Sequence, residues 1–393
     1  MRPRRLSIAL AIAFLLSLAP APSALAGAGS GSPPQRPAEL PASVTHRVID
    51  GQAALSRHLV VSATLPTTTV QKWRHTVSDG GTSYQYAMVG RNPTVTQTTQ
   101  AVAIATEVVP LIIRFSGGDS WNPTVGDTCD TTSAISRTLA SPIFKNHTYS
   151  FGGTSVGSTQ YVDAFQRANY YQYTNAAGIN PGYHVTLTPT TLTPVTISVP
   201  SADAAEGTTG CGNHLLGAVD IDWLDGYLQS KVIPSLAAQG VGVTTFPLFV
   251  LGNVVEYSGS PSDCCVLGFH NAYQTSRGLQ TYGVAMYDNT TAFGSSKDVS
   301  VLSHEVAEWL ADPLANNPTR PWGHVGQVSG CQDDLEVGDP LSGTVRSVVV
   351  SSHTYHVQEL AFTSWFYHQA KSTGVNGWYS DYGTFRTPAA TCT

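Results

Sequence analysis

The sequence predicts an α+β fold with a mixed sheet, and three observations lead to it. Segments with strand and helix patterns alternate irregularly along the chain, without an internal repeat. Hydrophobic residues make up 41% of the 393 residues, which is enough for a sizeable core. The chain also holds 36 glycines and 24 prolines, so turns should be frequent. We expect a single large domain.

The N-terminus has the features of a secretory signal peptide. Three arginines among the first five residues precede the apolar run "LSIALAIAFLLSLA", and Ala-Leu-Ala follows at 24–26. A membrane anchor is the alternative, but the apolar run is short and two prolines interrupt its end. We therefore expect residues 1–26 to be removed after Ala26. No later segment reaches a membrane-spanning length of uncharged apolar residues, so no membrane partner is expected after processing.

The next residues predict a boundary before the main domain. The stretch "GAGSGSPPQRPAELPA" at 27–42 has a linker composition that cannot bury a core. Residues 43–80 fit either a propeptide or an N-terminal extension. Together, 27–80 are interpreted as linker and extension, and 81–393 as the folded domain, with order starting near Tyr84.

The elements of that domain are predicted from alternation of β-branched residues for strands and from helical spacing for helices. The helix at 295–311 should begin with a capping box from Ser295 and Asp298 and end before Pro313. Strands are expected at 83–90, 100–115, 184–199, 244–258, 280–288 and 346–357, and helices at 159–172, 222–240, 295–311 and 358–372.

Six cysteines in a secreted chain predict up to three disulfides. The adjacent Cys264 and Cys265 would bridge each other only with strain, so we expect them to pair elsewhere. The CxxC pairs that a cysteine zinc site requires do not occur.

The segment "SHEVAEWLADP" concentrates charge in a chain with only 12% charged residues. His304 and Glu308 lie four residues apart, one helical turn, so both side chains can reach one cation. Leu302, Val306 and Trp309 fall on the opposite face and form the predicted buried stripe. Histidine nitrogen and carboxylate oxygen suit zinc, and another divalent cation is the alternative.

Glu305 is predicted to be the catalytic residue. It points about 100° around the helix from His304, so it can hold a metal-bound water instead of the metal. This is the arrangement of H-E-x-x-H helices, with glutamate in place of the second histidine.

A catalytic zinc site requires a third protein ligand, and the polar stretch 323–343 supplies candidates. Glu336 is the first choice and His324 the second, while Asp339 could orient a ligand. Asp312 lies eight residues, about 12 Å, beyond His304 along the helix, so we interpret it as a helix-end residue.

"SHEVAEWLADP" followed by "LEVGD" resembles secreted zincin-like proteins with an HExxE helix. It is also similar to the plant phosphate-induced, Exordium-like proteins. The resemblance is specific across residues 297–340 and implies a zincin-like single catalytic domain with a metal-binding helix. His304, Glu308 and Glu336 match its metal positions and Glu305 its catalytic position. Standard zincins carry histidine where this chain has Glu308.

The sequence thus predicts a secreted metal-dependent hydrolase, a zinc peptidase with a peptide or protein substrate. The alternative is a non-enzymatic extracellular or wall-associated binding protein with a structural cation or none. A net charge of −6 leaves no basic footprint for nucleic acid. His270 could bind an oxyanion, but a structural histidine beside a disulfide is expected. The oligomeric state is not predicted.

Overall fold

The computed structural model describes residues 35–41, 48, 51–55, 69–208, 215–372 and 375–393. The predicted signal peptide and its processing point after Ala26 lie outside these residues. Residues from Gln35 to Thr393 form one compact unit. Strand (41%) exceeds helix (19%), which confirms the predicted mixture of helices and a mixed sheet. In the described part of the chain, no helix is both long and apolar enough to cross a membrane.

The strands of the described residues are numbered in chain order. They are β1 (Ala38–Glu39), β2 (Lys72–Asp79), β3 (Thr82–Val89), β4 (Ala101–Phe115), β5 (Ser120–Trp121), β6 (His147–Phe151), β7 (Thr154–Thr159), β8 (His184–Thr191), β9 (Val195–Val199), β10 (Ala204–Thr208), β11 (Leu215–Asp220), β12 (Phe246–Gly252), β13 (Val254–Tyr257), β14 (Cys264–Val266), β15 (Gly268–Thr275), β16 (Gly278–Tyr287), β17 (Pro318–Val325), β18 (Val328–Asp334), β19 (Val345–Val350) and β20 (His353–Gln358).

The α-helices are numbered in the same way. They are α1 (Gly51–Ala54), α2 (Ala134–Ala140), α3 (Tyr161–Asn169), α4 (Tyr171–Thr174), α5 (Ile221–Tyr227), α6 (Ile233–Ser235), α7 (Ser300–Ala311) and α8 (Thr363–Phe366).

The main sheet has seven strands centred on β4 and β12. β4 pairs in parallel with β12 on one side, and with β8 and then β9 along the other. β12 pairs in parallel with β16, whereas β15 runs antiparallel to β16 at the edge. The apolar run "FPLFVLG" of β12 fits this central position, because a strand covered on both faces needs no alternation.

A second sheet of five strands has the order β1-β10-β11-β13-β14. Its edge strand β1 comes from the predicted linker, pairs with β10, and is followed by the buried Leu40. Ala38 and Glu39 thus form an edge strand within the segment that the sequence predicted as linker. Ordered structure also begins before Tyr84, because β2 pairs with β3 across the predicted boundary at 80/81.

Helix α7 packs against β15 and β16 of the main sheet. It also contacts β20, β3 and α3, which form a covering layer over the helix. Trp309 stacks on Phe246 of β12, with ring centroids 3.6 Å apart, and its Nε1 donates to Thr281 Oγ1 at 3.0 Å. The predicted apolar stripe is confirmed. The opposite polar face is buried as well, since all twelve helix residues are buried.

The start of this helix differs from the prediction. α7 begins at Ser300 instead of 295, and its first turn has no side-chain cap. Ser295 Oγ donates to the Gly343 carbonyl at 2.6 Å, and Asp298 has a left-handed φ of 43°, which a helix cannot include. The predicted capping box is thus wrong, whereas the end of the helix before Pro313 is confirmed.

Other elements follow the prediction in part. The helix at 159–172 appears as α3 and α4, and the one at 222–240 as consecutive α, π and 3₁₀ turns ending at Gly240, whose φ is 101°. The strand at 346–357 is a hairpin, because Ser351 and Ser352 adopt left-handed turns. The helix at 358–372 is reduced to the four residues of α8.

The disulfides of the described residues include one unexpected pair. Cys264 and Cys265 are bonded to each other, so the prediction that they pair elsewhere is wrong. The peptide bond between them is cis, which brings their Cα atoms to 3.0 Å. Cys331 pairs with Cys392, and Cys129 is also disulfide-bonded. No described cysteine is free, as expected for an oxidised protein.

Candidate metal centre

Helix α7 brings His304 and Glu308 together by its own geometry. Residues four apart face the same side, and His304 Nε2 lies 2.8 Å from Glu308 Oε2. The two side chains are buried, so their polar atoms must be satisfied inside the protein. This arrangement is the one predicted for two ligands of a single cation.

The segment after β18 fixes the second oxygen of Glu308. The backbone nitrogens of Gly338 and Asp339 donate to Glu308 Oε1 at 2.9 and 3.3 Å. Oε2 remains directed towards His304. The carboxylate is therefore oriented by two donors of the loop, as carboxylate ligands usually are.

Asp339 completes a first group of ligand atoms. Its Oδ1 lies 3.4 Å from His304 Nε2, and the ligand atoms of His304, Glu308 and Asp339 lie within 4.8 Å of one another. The hairpin β17–β18 orients this carboxylate, because Gln327 donates to Oδ1 and Gln332 to Oδ2, the latter at 3.1 Å. All three ligand residues are buried.

Gly338 allows the loop to approach the helix this closely. A Cβ atom at this position would lie 2.5 Å from His304 Nδ1. The glycine in "LEVGD" thus has a steric role at the imidazole ring. Any side chain there would push either the loop or the ring away from the ligand position.

Glu336, the first-choice third ligand, lies in a second group. The ligand atoms of His270, Glu308 and Glu336 are within 4.8 Å of one another, and all three residues are buried. Both carboxylate oxygens of Glu336 are buried without a hydrogen-bond partner among the described residues. Among these residues, Asp339 instead of Glu336 joins His304 and Glu308 in one group. Asp339, for which the sequence predicted an orienting role, therefore lies beside His304 and Glu308, whereas Glu336 lies beside His270.

His324, the second choice, lies away from these groups. It is exposed near the turn of the β17–β18 hairpin, and its Nδ1 lies 2.8 Å from the Ser329 carbonyl. Its neighbours of ligand type are Cys331 and Cys392, which are already joined as a disulfide. Asp312 is the helix-end residue that was expected, and it accepts from the Asn317 backbone at 2.6 Å.

His270, which the sequence analysis expected to be a structural histidine, lies against this cluster of ligand-type residues. It lies on β15 and is fully buried, with Nδ1 3.8 Å from Glu305 Oε2 and 3.9 Å from Glu308 Oε2. Its Nε2 lies 2.9 Å from the Asp312 carbonyl. Burial lowers the pKa of His270 to about 4, so the ring is neutral near pH 7. A neutral imidazole is the form that binds metals.

Glu305 lines a small cavity beside the first group. This cavity of about 20 Å³ is also lined by His304, Gln327 and Gly268, and by Val48 from the N-terminal segment. Such a volume holds about one water molecule. Glu305 Oε1 lies 4.0 Å from His304 Nε2, so the predicted base is next to the predicted ligand without pointing at it directly.

The electrostatics of the cluster are dominated by burial. Burial raises the pKa of Glu305 and Glu336 well above the usual range, and it raises that of Glu308. Burial by itself lowers the pKa of His304, but the carboxylates of Glu308 and Asp339 outweigh it and raise that pKa well above its usual range. These directions follow from the burial of several carboxylates around one histidine.

The described residues fit a divalent cation on two grounds. The donor set combines imidazole nitrogens with carboxylate oxygens, as transition-metal sites do. Glu336 has two buried oxygens without a partner, and such atoms are rare unless an ion or water satisfies them.

No protein-family model, curated protein or solved structure matches the chain.

Proposed function

We propose that the protein is a metal-dependent hydrolase whose metal ion is held by His304, Glu308 and Asp339. The observation that carries this proposal is the first group itself: three buried ligand atoms within 4.8 Å, beside a water-sized cavity lined by Glu305. Zinc is the proposed ion because of the mixed nitrogen and oxygen donors. When bound, it would polarise a carbonyl and lower the pKa of a bound water towards about 7.

Glu305 is the proposed general base. Its carboxylate lies on the cavity side of α7, where it can take a proton from a water and pass it to a leaving amine. Burial raises the pKa of Glu305, which makes its carboxylate a stronger proton acceptor and helps the first half of this transfer. Gly268 leaves room for the side chain, since a Cβ there would lie 2.9 Å from Glu305 Oε1.

The proposed substrate is a peptide or protein, and the proposed location is extracellular. The substrate class rests on the resemblance of "SHEVAEWLADP" and "LEVGD" to zincin-like proteins. Export is supported by the arginine-rich start and the Ala-Leu-Ala sequence at 24–26. The disulfides of the described residues fit an oxidising compartment.

One observation favours a second candidate function, an extracellular binding protein with a structural cation. Every ligand residue is buried, and the cavity next to Glu305 has room for only about one water. A substrate would need part of the covering layer to move. A structural ion requires no such opening.

The test compares Glu305→Gln with the wild type in metal content and in hydrolysis of a mixed peptide library. We expect wild type to bind zinc and hydrolyse peptides. Glu305→Gln should keep the metal but lose about 10²–10⁴-fold in rate. Glu39→Gln is the matched control, because Glu39 is exposed. Bound metal without hydrolysis would favour the structural cation, and a wild type without any metal would overturn both candidates.

A further inference from the structure

We infer that Glu308 bridges two divalent cations, the second being held by His270, Glu308 and Glu336. This inference rests on the proposed function, because it adds an ion to the same site. It assigns a role to the second group of ligand atoms, which a single ion at His304, Glu308 and Asp339 leaves unused.

The position of Glu308 is the first argument. Its Oε2 lies 2.8 Å from His304 Nε2 and 3.9 Å from His270 Nδ1, so one oxygen faces both histidines. Oε1 is already held by the backbone nitrogens of Gly338 and Asp339. Oε2, the oxygen that the two groups would share, therefore lies between them. The hydrogen bonds to Oε1 fix the orientation of the carboxylate.

Glu336 is the second argument. The residue is 1% exposed, and neither carboxylate oxygen has a hydrogen-bond partner among the described residues. A buried carboxylate without partners is costly unless a cation compensates it. Its ligand atom lies within 4.8 Å of those of His270 and Glu308, so a cation between the three would satisfy it.

The orientation of His270 is the third argument. Its Nε2 lies 2.9 Å from the Asp312 carbonyl, and a carbonyl only accepts, so Nε2 carries the hydrogen. Nδ1, the other ring nitrogen, lies on the side of Glu305 and Glu308, 3.8 and 3.9 Å from their Oε2 atoms. A hydrogen bond from the second ring nitrogen to a carbonyl is typical of histidine ligands.

Charge balance is the fourth argument. Four buried carboxylates meet here: Glu305, Glu308, Glu336 and Asp339. Among the described residues, no Lys or Arg forms an ion pair with any of them. A divalent cation in each of the two groups would supply positive charge that Lys and Arg side chains do not supply here. Uncompensated charge in a low-dielectric interior is strongly unfavourable.

The experiment is a Mn²⁺ titration of the full chain after removal of metal with a chelator, with ions per chain as the readout. We expect two ions in wild type and one in both His270→Ala and Glu336→Gln. Glu336→Gln is nearly isosteric, so it tests the site if the histidine variant does not fold. Asp333→Asn, at an exposed position, should keep two ions. Electron paramagnetic resonance should show a spin-coupled pair in wild type only.

The outcomes separate this inference from the proposed function. One ion in wild type, unchanged in Glu336→Gln, would overturn the second ion and leave the hydrolase intact. Two ions without peptide hydrolysis would support the pair and overturn the hydrolase. No bound ion would overturn both.

Discussion

His304 Nε2 and Glu308 Oε2 lie 2.8 Å apart, one turn from each other on a helix that is buried on every side. On a helix surface such a pair stabilises by only a few tenths of a kcal/mol, because water screens it. Inside the core water does not screen the pair, and Asp339 lies beside both residues, while His270 and Glu336 lie beside Glu308.

Asp339→Ala should abolish metal binding, and Gln332→Ala should weaken it by about 10–100-fold. Asp339 is proposed as a ligand, whereas Gln332 only orients it through a hydrogen bond of 3.1 Å. Competition with a metal-sensitive dye would measure both affinities. Asp333→Ala is the control, because Asp333 is exposed on the same hairpin. Equal metal affinity in Asp339→Ala and wild type would contradict the ligand assignment.

Gly338→Ala should destabilise the protein by about 1–3 kcal/mol and reduce its affinity for metal, because the added methyl overpacks the site. Its Cβ would lie 2.5 Å from His304 Nδ1, although the backbone φ of −90° suits alanine. Urea unfolding and metal titration would measure the two effects. Gly330→Ala is the matched control, since nothing lies within 4 Å of its Cβ position. Similar losses in both variants would argue against a specific contact.

Asn317→Ala should lower the free energy of unfolding by about 2–4 kcal/mol, because it leaves buried backbone groups unsatisfied. The Asn317 side chain accepts from Ala87 N at 2.8 Å and donates to Ala87 O at 2.7 Å and Ala311 O at 2.8 Å. It thereby ties the end of α7 to β3. Chemical denaturation measures the change, with the exposed Asn316→Ala as comparison.

The protein should lose stability as the pH rises from about 4 to about 8, and Asp381→Asn should weaken that dependence. Burial raises the pKa of Asp381 from 3.8 to about 8. The folded state thus holds a proton that the unfolded state has released, so unfolding becomes easier with rising pH. The contribution is complete below about pH 4 and is lost as the pH approaches 8.

The hydrogen bonds around Asp381 agree with a held proton. Tyr161 has one hydroxyl hydrogen but faces two acceptors, Gln358 O at 2.5 Å and Asp381 Oδ2 at 2.7 Å. A protonated Asp381 can donate to the tyrosine oxygen, and so can the amide of Asn. Unfolding free energies at pH 5 and pH 8 would test this. A steeper pH dependence in Asp381→Asn than in wild type would contradict it.

Peptide mapping without reduction should find Cys264 and Cys265 in one peptide that is lighter by two hydrogen atoms than its reduced form. The two residues are bonded to each other, so reduction should change the mass without releasing a second peptide. Cys331 and Cys392 should instead appear as two peptides joined until reduction. A mixed peptide joining Cys264 to any distant cysteine would overturn the vicinal pair.

Local pattern was sufficient to predict part of the site. The pair His304 and Glu308, the sideways position of Glu305, and carboxylates in "LEVGD" all follow from helical spacing or from short sequence stretches. Spacing could not decide whether Glu336 or Asp339 lies beside His304 and Glu308. That choice depends on how Gly338 lets the loop turn over the His304 ring, which is a tertiary contact.

Local pattern could not predict that His270 lies beside Glu308, because its position depends on two contacts between segments distant in sequence. The antiparallel pairing of β15 with β16 places His270 opposite Gly283, and α7 then packs across both strands. The start of α7 was misjudged for a related reason. Asp298 accepts a hydrogen bond from the His356 backbone at 2.9 Å. It therefore binds a distant strand instead of capping the helix as local pattern predicted.

The Cys331–Cys392 disulfide closes a covalent ring of chain that contains Glu336, Asp339 and the hairpin β19–β20. A protease that cuts once inside this ring opens the backbone but separates no fragment until the disulfide is reduced. Both loop carboxylates therefore stay tethered to the body of the protein after a nick. The disulfide thus keeps the chain around Glu336 and Asp339 attached through a cut that would otherwise release its C-terminal piece.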